Sequence, residues 1–361
     1  MKIALLAPAS SVHAVRWANG YVERGHQVGL ISQHAPLPGL DRRVQVFSLP
    51  FKGLAGYMLN RGNMKAALRA FSPHIVNVHY ATGYGLLARG VTKFPLVLNV
   101  WGSDVYTFPD KSVLHRWLLK GNLAHADQVV STSHAMAARV SQWLPYAAPA
   151  AVVPFGVDVD HFTPHGASKN EGGPLVIGTV KSLAPVYGID RLMQAFAHLV
   201  QMEVGADVRL RIVGEGPQRK ELLRLADKLG IADRLDMVGA VPHAKVPDEL
   251  RKFNVYAALS RSESFGVAVI EASACGLPVV VSDAGGLPEV VRNGETGFVV
   301  PSGDPETAAS KFHTLLTDPA LRVKLGASGR EFVLGNYEWS DCVDRMLEVL
   351  HETADTVRSR P

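Results

Sequence analysis

The chain has 361 residues, a length that suits two domains, and its 47% hydrophobic and 19% charged residues exclude wholesale disorder. Lys and Arg number 37 against 33 Asp and Glu, and a net charge of +4 is too mild to point to nucleic acid. Two cysteines, Cys275 and Cys342, exclude a disulfide framework and a cysteine-built zinc site. The charge is unevenly spread. Residues 1–164 hold 15 Lys and Arg against 7 Asp and Glu, and residues 165–361 hold 22 against 26. The halves therefore face different partners, or face each other.

Residues 1–8 are too short for a signal-peptide core with a cleavage site, so residues 3–7 read as a first buried strand. Residues 12–24 place Val12, Val15, Trp17, Ala18 and Val22 on roughly one helical face, and Gly25 ends that helix. Strands follow at 28–32, 75–79, 96–100 and 128–131. The segment 161–174 is rich in Gly and Pro with little apolar content and reads as a linker. Strands then resume at 175–179, 208–213, 235–238, 255–259 and 278–282, separated by helical patterns at 188–200 and 216–229. Residues 271–275 lie on a helix, where Cys275 reads as a buried thiol. The chain closes in a helix-like stretch, 341–354, with Val343, Met346, Leu347 and Leu350 on one face. No window approaches the roughly 20 apolar residues of a membrane span. The alternation predicts an α/β protein of two doubly wound parallel-sheet, Rossmann-like domains facing a central cleft, with ligands beyond the carboxyl ends of the strands.

The most informative run is Glu263-Ser264-Phe265-Gly266-Val267-Ala268-Val269-Ile270-Glu271. Its two carboxylates are separated by small and apolar residues, so this is no solvated face. Phe265-Gly266 permits a tight turn, and a helix opening after it offers unpaired N–H groups and a positive dipole end that suit phosphate. Eight residues is just over two helical turns, which lets Glu271 project to the same side as Glu263. Carboxylates accept hydrogen bonds from vicinal hydroxyls, as in a ribose or a sugar ring.

This run resembles the E-x7-E motif of retaining GT-B glycosyltransferases, specifically glycosyltransferase family 4, and the likeness covers nearly the whole chain. Val153-Pro154-Phe155-Gly156-Val157-Asp158, with Asp160 and Phe162, looks like that family's interdomain segment. Ile212-Val213-Gly214-Glu215-Gly216-Pro217 looks like its V-G-x-G-P turn. Ala274-Cys275-Gly276-Leu277-Pro278, Gly285-Gly286-Leu287-Pro288-Glu289 and Gly294-Glu295-Thr296-Gly297 follow in the usual order.

The resemblance implies an acceptor-binding domain at 1–164 and a donor-binding domain at 165–337, with a C-terminal helix near 338–356 packing back on the first. It implies that Glu271 binds the nucleotide ribose and that Glu263 lies near the donor sugar. The backbone of Phe265, Gly266 and Val267 would approach sugar and phosphate, with Gly214 nearby and Val238-Gly239 edging the base. No cofactor and no essential metal are implied. Positive side chains hold the diphosphate instead. Lys181 matches the first of an expected cation pair, whereas the second falls at or next to Val186, and Val186 and Tyr187 are both uncharged. Arg261 or a cation of the first half then substitutes, or the loop register differs, or turnover is weak.

In the first half, Ser10 and Ser11 occupy the turn that faces the donor diphosphate in this family. His13, His79, Trp101 and Asp104 are candidates to line the sugar or acceptor. Trp101 stands where many relatives have His, and Asp104 binds an acceptor hydroxyl or caps the following helix. Residues 131–134 end another strand and join the acceptor side. Cations mix with bulky apolar residues at 111–120, and Arg61, Lys65 and Arg69 recur at helical spacing. That is either a solvated helix face or a surface for anionic lipid or a lipid-diphosphate acceptor.

The leading expectation is a retaining, metal-independent glycosyltransferase. It would move a sugar from a UDP- or GDP-sugar to a glycan, glycolipid or lipid-diphosphate-linked acceptor. The expected setting is the cytoplasm, at most peripheral to the membrane, with no nucleic acid involved. The competing classes are a GT-B nucleotide-sugar epimerase or phosphorylase, and a nucleotide-sugar-binding relative with little or no turnover.

Overall fold

A computed structural model describes residues 1–359 other than 92, 146, 165–172, 203, 205 and 206. The core of the linker expected at 161–174 lies outside the described residues. The chain forms two compact units, Met1–Pro154 with Ser340–Pro361, and Phe155–Trp339.

The first unit is built on β1 (Lys2–Leu6), β2 (Gln27–Ser32), β3 (Gln45–Ser48), β4 (Ile75–His79), β5 (Leu96–Asn99), β6 (Gln128–Ser131) and β7 (Ala151–Val152). All pairings are parallel, in the order β3-β2-β1-β4-β5-β6-β7. The inner strands are buried on both faces, which is why they read as short continuous apolar runs. β3 was missed in the sequence because it is a largely exposed edge strand with one apolar pair, Val46-Phe47. Helix Val12–Glu23 ends where Gly25 takes φ +79°, a left-handed position suited to glycine. The C-terminal helix Trp339–Arg358 buries Cys342, Val343, Met346, Leu347 and Leu350. Arg24 holds it through Asp344, at 2.8 and 3.2 Å, and through the Ser340 carbonyl.

The second unit is built on β8 (Leu175–Val180), β9 (Val208–Val213), β10 (Leu235–Gly239), β11 (Val255–Ala258), β12 (Val279–Ser282) and β13 (Gly297–Val300). These are again all parallel, in the order β10-β9-β8-β11-β12-β13. Its core joins Ile177, Leu210 and Val280 of the sheet to Phe196 of helix Ile189–Val200 and Phe312 of helix Pro305–Thr317. Helices Pro305–Thr317 and Pro319–Asn336 were not read from sequence. Each is capped by an aspartate before its proline: Asp304 accepts from Thr307 N and Asp318 from Leu321 N, both at 2.9 Å.

The boundaries expected after 164 and 337 move to 154/155 and 339/340. The reason is local pairing. Val157 N donates to Tyr337 O at 2.8 Å, Trp339 N donates to Val157 O at 2.9 Å, and Arg330 donates to the Phe162 carbonyl. Residues 155–164 are thus tied to the end of the second unit.

Candidate functional site

In the second unit the chain segments leaving the carboxyl ends of β8, β9, β11 and β12 carry most of the residues marked in sequence, at the point where the strand order reverses between β8 and β11. Lys181 follows β8 directly, and Glu263 lies in the segment that leaves β11. Lys181 Nζ donates to Glu263 Oε2 at 2.5 Å, with only 10% and 11% of the two side chains exposed. Burial opposes the Lys181 charge. Glu263, helped by the phenols of Tyr256 and Tyr187, outweighs it and holds the ammonium above the ordinary lysine range. Tyr256 is itself buried, which pushes its phenol up to about 12. The Lys181 ammonium also lies 4.9 Å from the centre of the Tyr187 ring, a cation–π distance.

Two glycine turns back this pair. A Cβ on Gly214 (φ +149°) would stand 1.9 Å from the Lys181 carbonyl oxygen. One on Gly285 (φ +57°) would stand 2.0 Å from the Glu263 carbonyl oxygen. Both positions combine a left-handed backbone with a contact that tolerates no side chain. The V-G-x-G-P and G-G-L-P-E motifs therefore act alike: each lets a neighbouring turn press against the main chain of one member of the pair.

Gly266, at φ +116°, opens helix Val267–Ala274, and this helix carries Glu271. Oε1 of Glu271 lies 2.9 Å from His243 Nε2, and the Glu271 side chain is almost wholly buried. The His243 ring in turn lies 5.6 Å from that of Phe162. His243 was missed in sequence because a lone histidine in a polar turn carries no signal. Phe265 is buried with its ring 5.5 Å from Tyr337, so its side chain packs inside the unit. Val238 and Val267 are half-buried, and Gly239 (φ +87°) closes the end of β10.

The second cation position is occupied differently from the family pattern. The Val186 carbonyl accepts from Arg261 N at 2.8 Å, and its side chain carries no charge. Arg261, the candidate substitute, grips Asp190 with two bonds of 2.7 and 2.5 Å and donates to the Pro185 carbonyl at 2.9 Å. Its charge is already matched: Asp190 raises the guanidinium, and Arg261 draws the Asp190 carboxyl below its usual range. Arg261 thus fastens the 185–186 loop to helix Ile189–Val200.

In the first unit, the turns after β4 and β5 bring His79 and Trp101 together, with ring centres 4.8 Å apart, and His13 lies 5.7 Å from Trp101. His79 does not line a surface as expected, because it is fully buried as the last residue of β4. Burial, with His13 adding to it, pushes the imidazole down to about 3, so the ring is neutral. Neither ring nitrogen has a hydrogen-bond partner among the described residues. Tyr80 was missed in sequence; it adopts φ +73° and sets its ring 4.8 Å from Trp101. A left-handed tyrosine is strained, and nothing in residue type foretells it.

Asp104 corrects a second expectation. It is buried, and its oxygens accept backbone N–H bonds from Ala81 (2.9 Å), Trp101 (3.1 Å) and Gly102 (2.8 Å). It ties the turn after β4 to the turn after β5 and is not presented to an acceptor hydroxyl. Burial raises its carboxyl, and these bonds pull against that. Ser131 and Ser133 are likewise committed, the latter capping helix His134–Trp143 through Met136 N at 3.1 Å. Ser10 is exposed, and Ser11 is the N-cap of helix Val12–Glu23: its carbonyl accepts from Val15 N at 3.1 Å, and its side chain makes no cap bond. Among the described residues no three His, Cys, Asp or Glu form a group suited to a metal ion.

Two doubly wound parallel sheets, one in each unit, are the architecture of the GT-B class of α/β proteins, and here the second carries a buried Lys–Glu pair at its switch point. Residues 163–332 match the family model for glycosyl transferases group 1, and residues 2–133 match the glycosyl transferase 4-like model. The chain belongs to the group 1 glycosyltransferase family of the GT-B fold.

It is 35% identical over 248 residues to the D-inositol 3-phosphate glycosyltransferase of Segniliparus rotundus, covering 65% of this chain and 54% of that one. It is 31% identical over 212 residues to the GDP-mannose-dependent alpha-(1-6)-phosphatidylinositol monomannoside mannosyltransferase of Mycolicibacterium smegmatis, covering 55% of each. The chain therefore spans only a little over half the length of these curated relatives. Among solved structures, sucrose-phosphate synthase from Thermosynechococcus elongatus has a TM-score of 0.86 at 21% identity over 98% of both chains. Anabaena HepE in complex with UDP has a TM-score of 0.80, also at 21% identity, over 98% of this chain and 100% of that one. At such identity the likeness establishes the fold.

Proposed function

We propose that this chain is a retaining glycosyltransferase that moves a sugar from a nucleoside diphosphate sugar to a glycan, glycolipid or lipid-diphosphate-linked acceptor without a metal. The observation that carries this reading is the buried Lys181–Glu263 pair beside the turn that opens helix Val267–Ala274. Lys181 binds the diphosphate and stabilises its charge as the anomeric C–O bond breaks and the leaving oxygen keeps the electron pair. The helix N-terminus adds backbone donors. Glu263 accepts from a sugar hydroxyl, and Glu271, held by His243, takes the ribose hydroxyls. The acceptor oxygen bonds the anomeric carbon on the face the diphosphate leaves, and its proton passes to the departing diphosphate. No side chain need then serve as a base, which is consistent with Trp101 at its position. We assign donor binding to the second unit and acceptor binding to the first.

The names of the relatives support both halves of this reading. One is named for GDP-mannose and a phosphatidylinositol mannoside, another for D-inositol 3-phosphate. The uncharged Val186 and the committed Arg261 favour a second reading, a nucleotide-sugar-binding protein with little turnover. A thermal-shift screen of UDP-, GDP- and ADP-sugars followed by nucleotide-release assays separates them. A donor that raises the melting temperature, and whose nucleotide is released faster with an acceptor present, supports transfer. A shift without acceptor-dependent release supports binding alone, and no shift with any nucleotide sugar overturns both.

A further inference from the structure

Between Asp41 and Asp104 the chain carries no acidic residue, yet it carries eight Lys and Arg. The first unit places most of that stretch around an apolar surface. Helix Gly53–Leu59 exposes Leu54 (89%), Met58 and Leu59, and Phe51 precedes it. Helix Val113–Leu123 exposes Val113, Leu114 and Trp117 (63%). Helix Gly83–Ala88 packs against both. At its end Arg89 spans the two groups: its guanidinium stacks 5.4 Å over the Trp117 ring and feels the repulsion of Arg61, the first residue of helix Arg61–Phe71. Among the described residues none of Lys52, Arg61, Lys65, Arg69, Arg89 and Lys120 has a carboxylate partner.

Large apolar side chains are costly to leave in water, and cations gathered on one surface without carboxylate partners attract an anionic one. Trp and Leu flanked by Lys and Arg match the interface of an anionic bilayer, where the apolar side chains enter the acyl boundary and the cations meet the head groups. A nucleic acid or an acidic glycan answers the cations but leaves Leu54, Met58, Val113 and Leu114 unexplained. We propose that the helices Gly53–Leu59 and Val113–Leu123 form a peripheral docking surface for anionic lipid membranes. This goes beyond the glycosyl-transfer reading and does not depend on it.

The test is flotation of the full chain with vesicles of phosphatidylcholine alone, and with vesicles containing about one-third phosphatidylglycerol. Two variants accompany it: Leu54→Ser with Met58→Ser and Trp117→Ser, and Arg61→Glu with Lys65→Glu. Recovery should be high only with anionic vesicles and should fall with salt. Each variant should lower it by at least about fivefold while keeping the wild-type circular dichroism melt. Equal recovery from both vesicle types overturns the proposal, as does recovery unchanged in both variants. A wild-type dimer in gel filtration that the apolar variant dissociates, with no lipid binding, also overturns it and assigns the surface to a second copy of the chain.

Discussion

The two units share a sheet design and differ at its carboxyl edge. In the second unit the edge is rich in paired polar groups: Lys181 and Glu263 form an ion pair, Arg261 and Asp190 another, and His243 meets Glu271. In the first it is mostly aromatic, with His79 held uncharged against Trp101 and the Asp104 carboxyl group spent on backbone N–H groups. The net charges run the other way. The first unit holds 18 Lys and Arg against 10 Asp and Glu, and the second holds 19 against 23. Net charge therefore says little about where charge acts. The excess cations of the first unit sit on exposed helices, whereas one buried ammonium of the acidic unit stands at the switch point. A charge in a poorly hydrated place interacts far more strongly than several in water.

Replacing Lys181 attacks this contrast most directly. Lys181→Ala should lower kcat at least about 100-fold, the scale of losing one electrostatic stabiliser of the transition state. Nucleotide release with the best donor and acceptor measures it, alongside a melt to confirm folding, because Glu263 is left without its partner. Unchanged turnover would remove Lys181 from the site.

The neutrality of the first unit is tested through His79. Its folded-state pKa lies below the ordinary histidine value, so the unfolded chain binds the extra proton first. Stability is full above about pH 6.5 and is lost as pH falls toward 3. At pH 5 the loss from this one group is about 2 kcal/mol. Urea unfolding at pH 7.5 and pH 5 should show it in the wild type, and His79→Leu should show a smaller difference between the two pH values. An identical pH dependence in both proteins would mean that His79 accepts a proton in the folded state.

The smallest effect is expected at Arg261. If it fastens a loop and supplies no charge to the donor, Arg261→Gln should cost about 1 kcal/mol of stability, as for a partly exposed ion pair. Its kcat should stay within about threefold of wild type. A loss on the scale of Lys181→Ala would make Arg261 the second diphosphate cation after all and would blur the distinction between edge and loop charges.

Much of the candidate site in the second unit was legible in sequence because its parts are local. Gly214, Gly266 and Gly285 must be glycine for reasons of backbone conformation, and each stands inside a recognisable run. Glu263 and Glu271 stand eight positions apart in one run, although Glu263 lies in the turn before helix Val267–Ala274 and not on it as the helical spacing implied. Lys181 follows its strand directly. The first unit was less legible. Asp104 looked free because its partners, Ala81 above all, are brought to it by the pairing of β4 with β5. His79 looked available because a strand end does not reveal what covers it.

The sequence by itself therefore determined the two alternating α/β halves and the glycine turns, and it singled out the carboxylates Glu263 and Glu271, since periodicity and residue type act over a few neighbouring positions. The tertiary structure decided the pairing of groups far apart in the chain. It set Lys181 on Glu263, separated by 82 positions, Arg261 on Asp190, separated by 71, and His243 on Glu271, separated by 28. Whether a charge is matched, buried or open to a ligand depends on those long-range neighbours, and no local pattern encodes them.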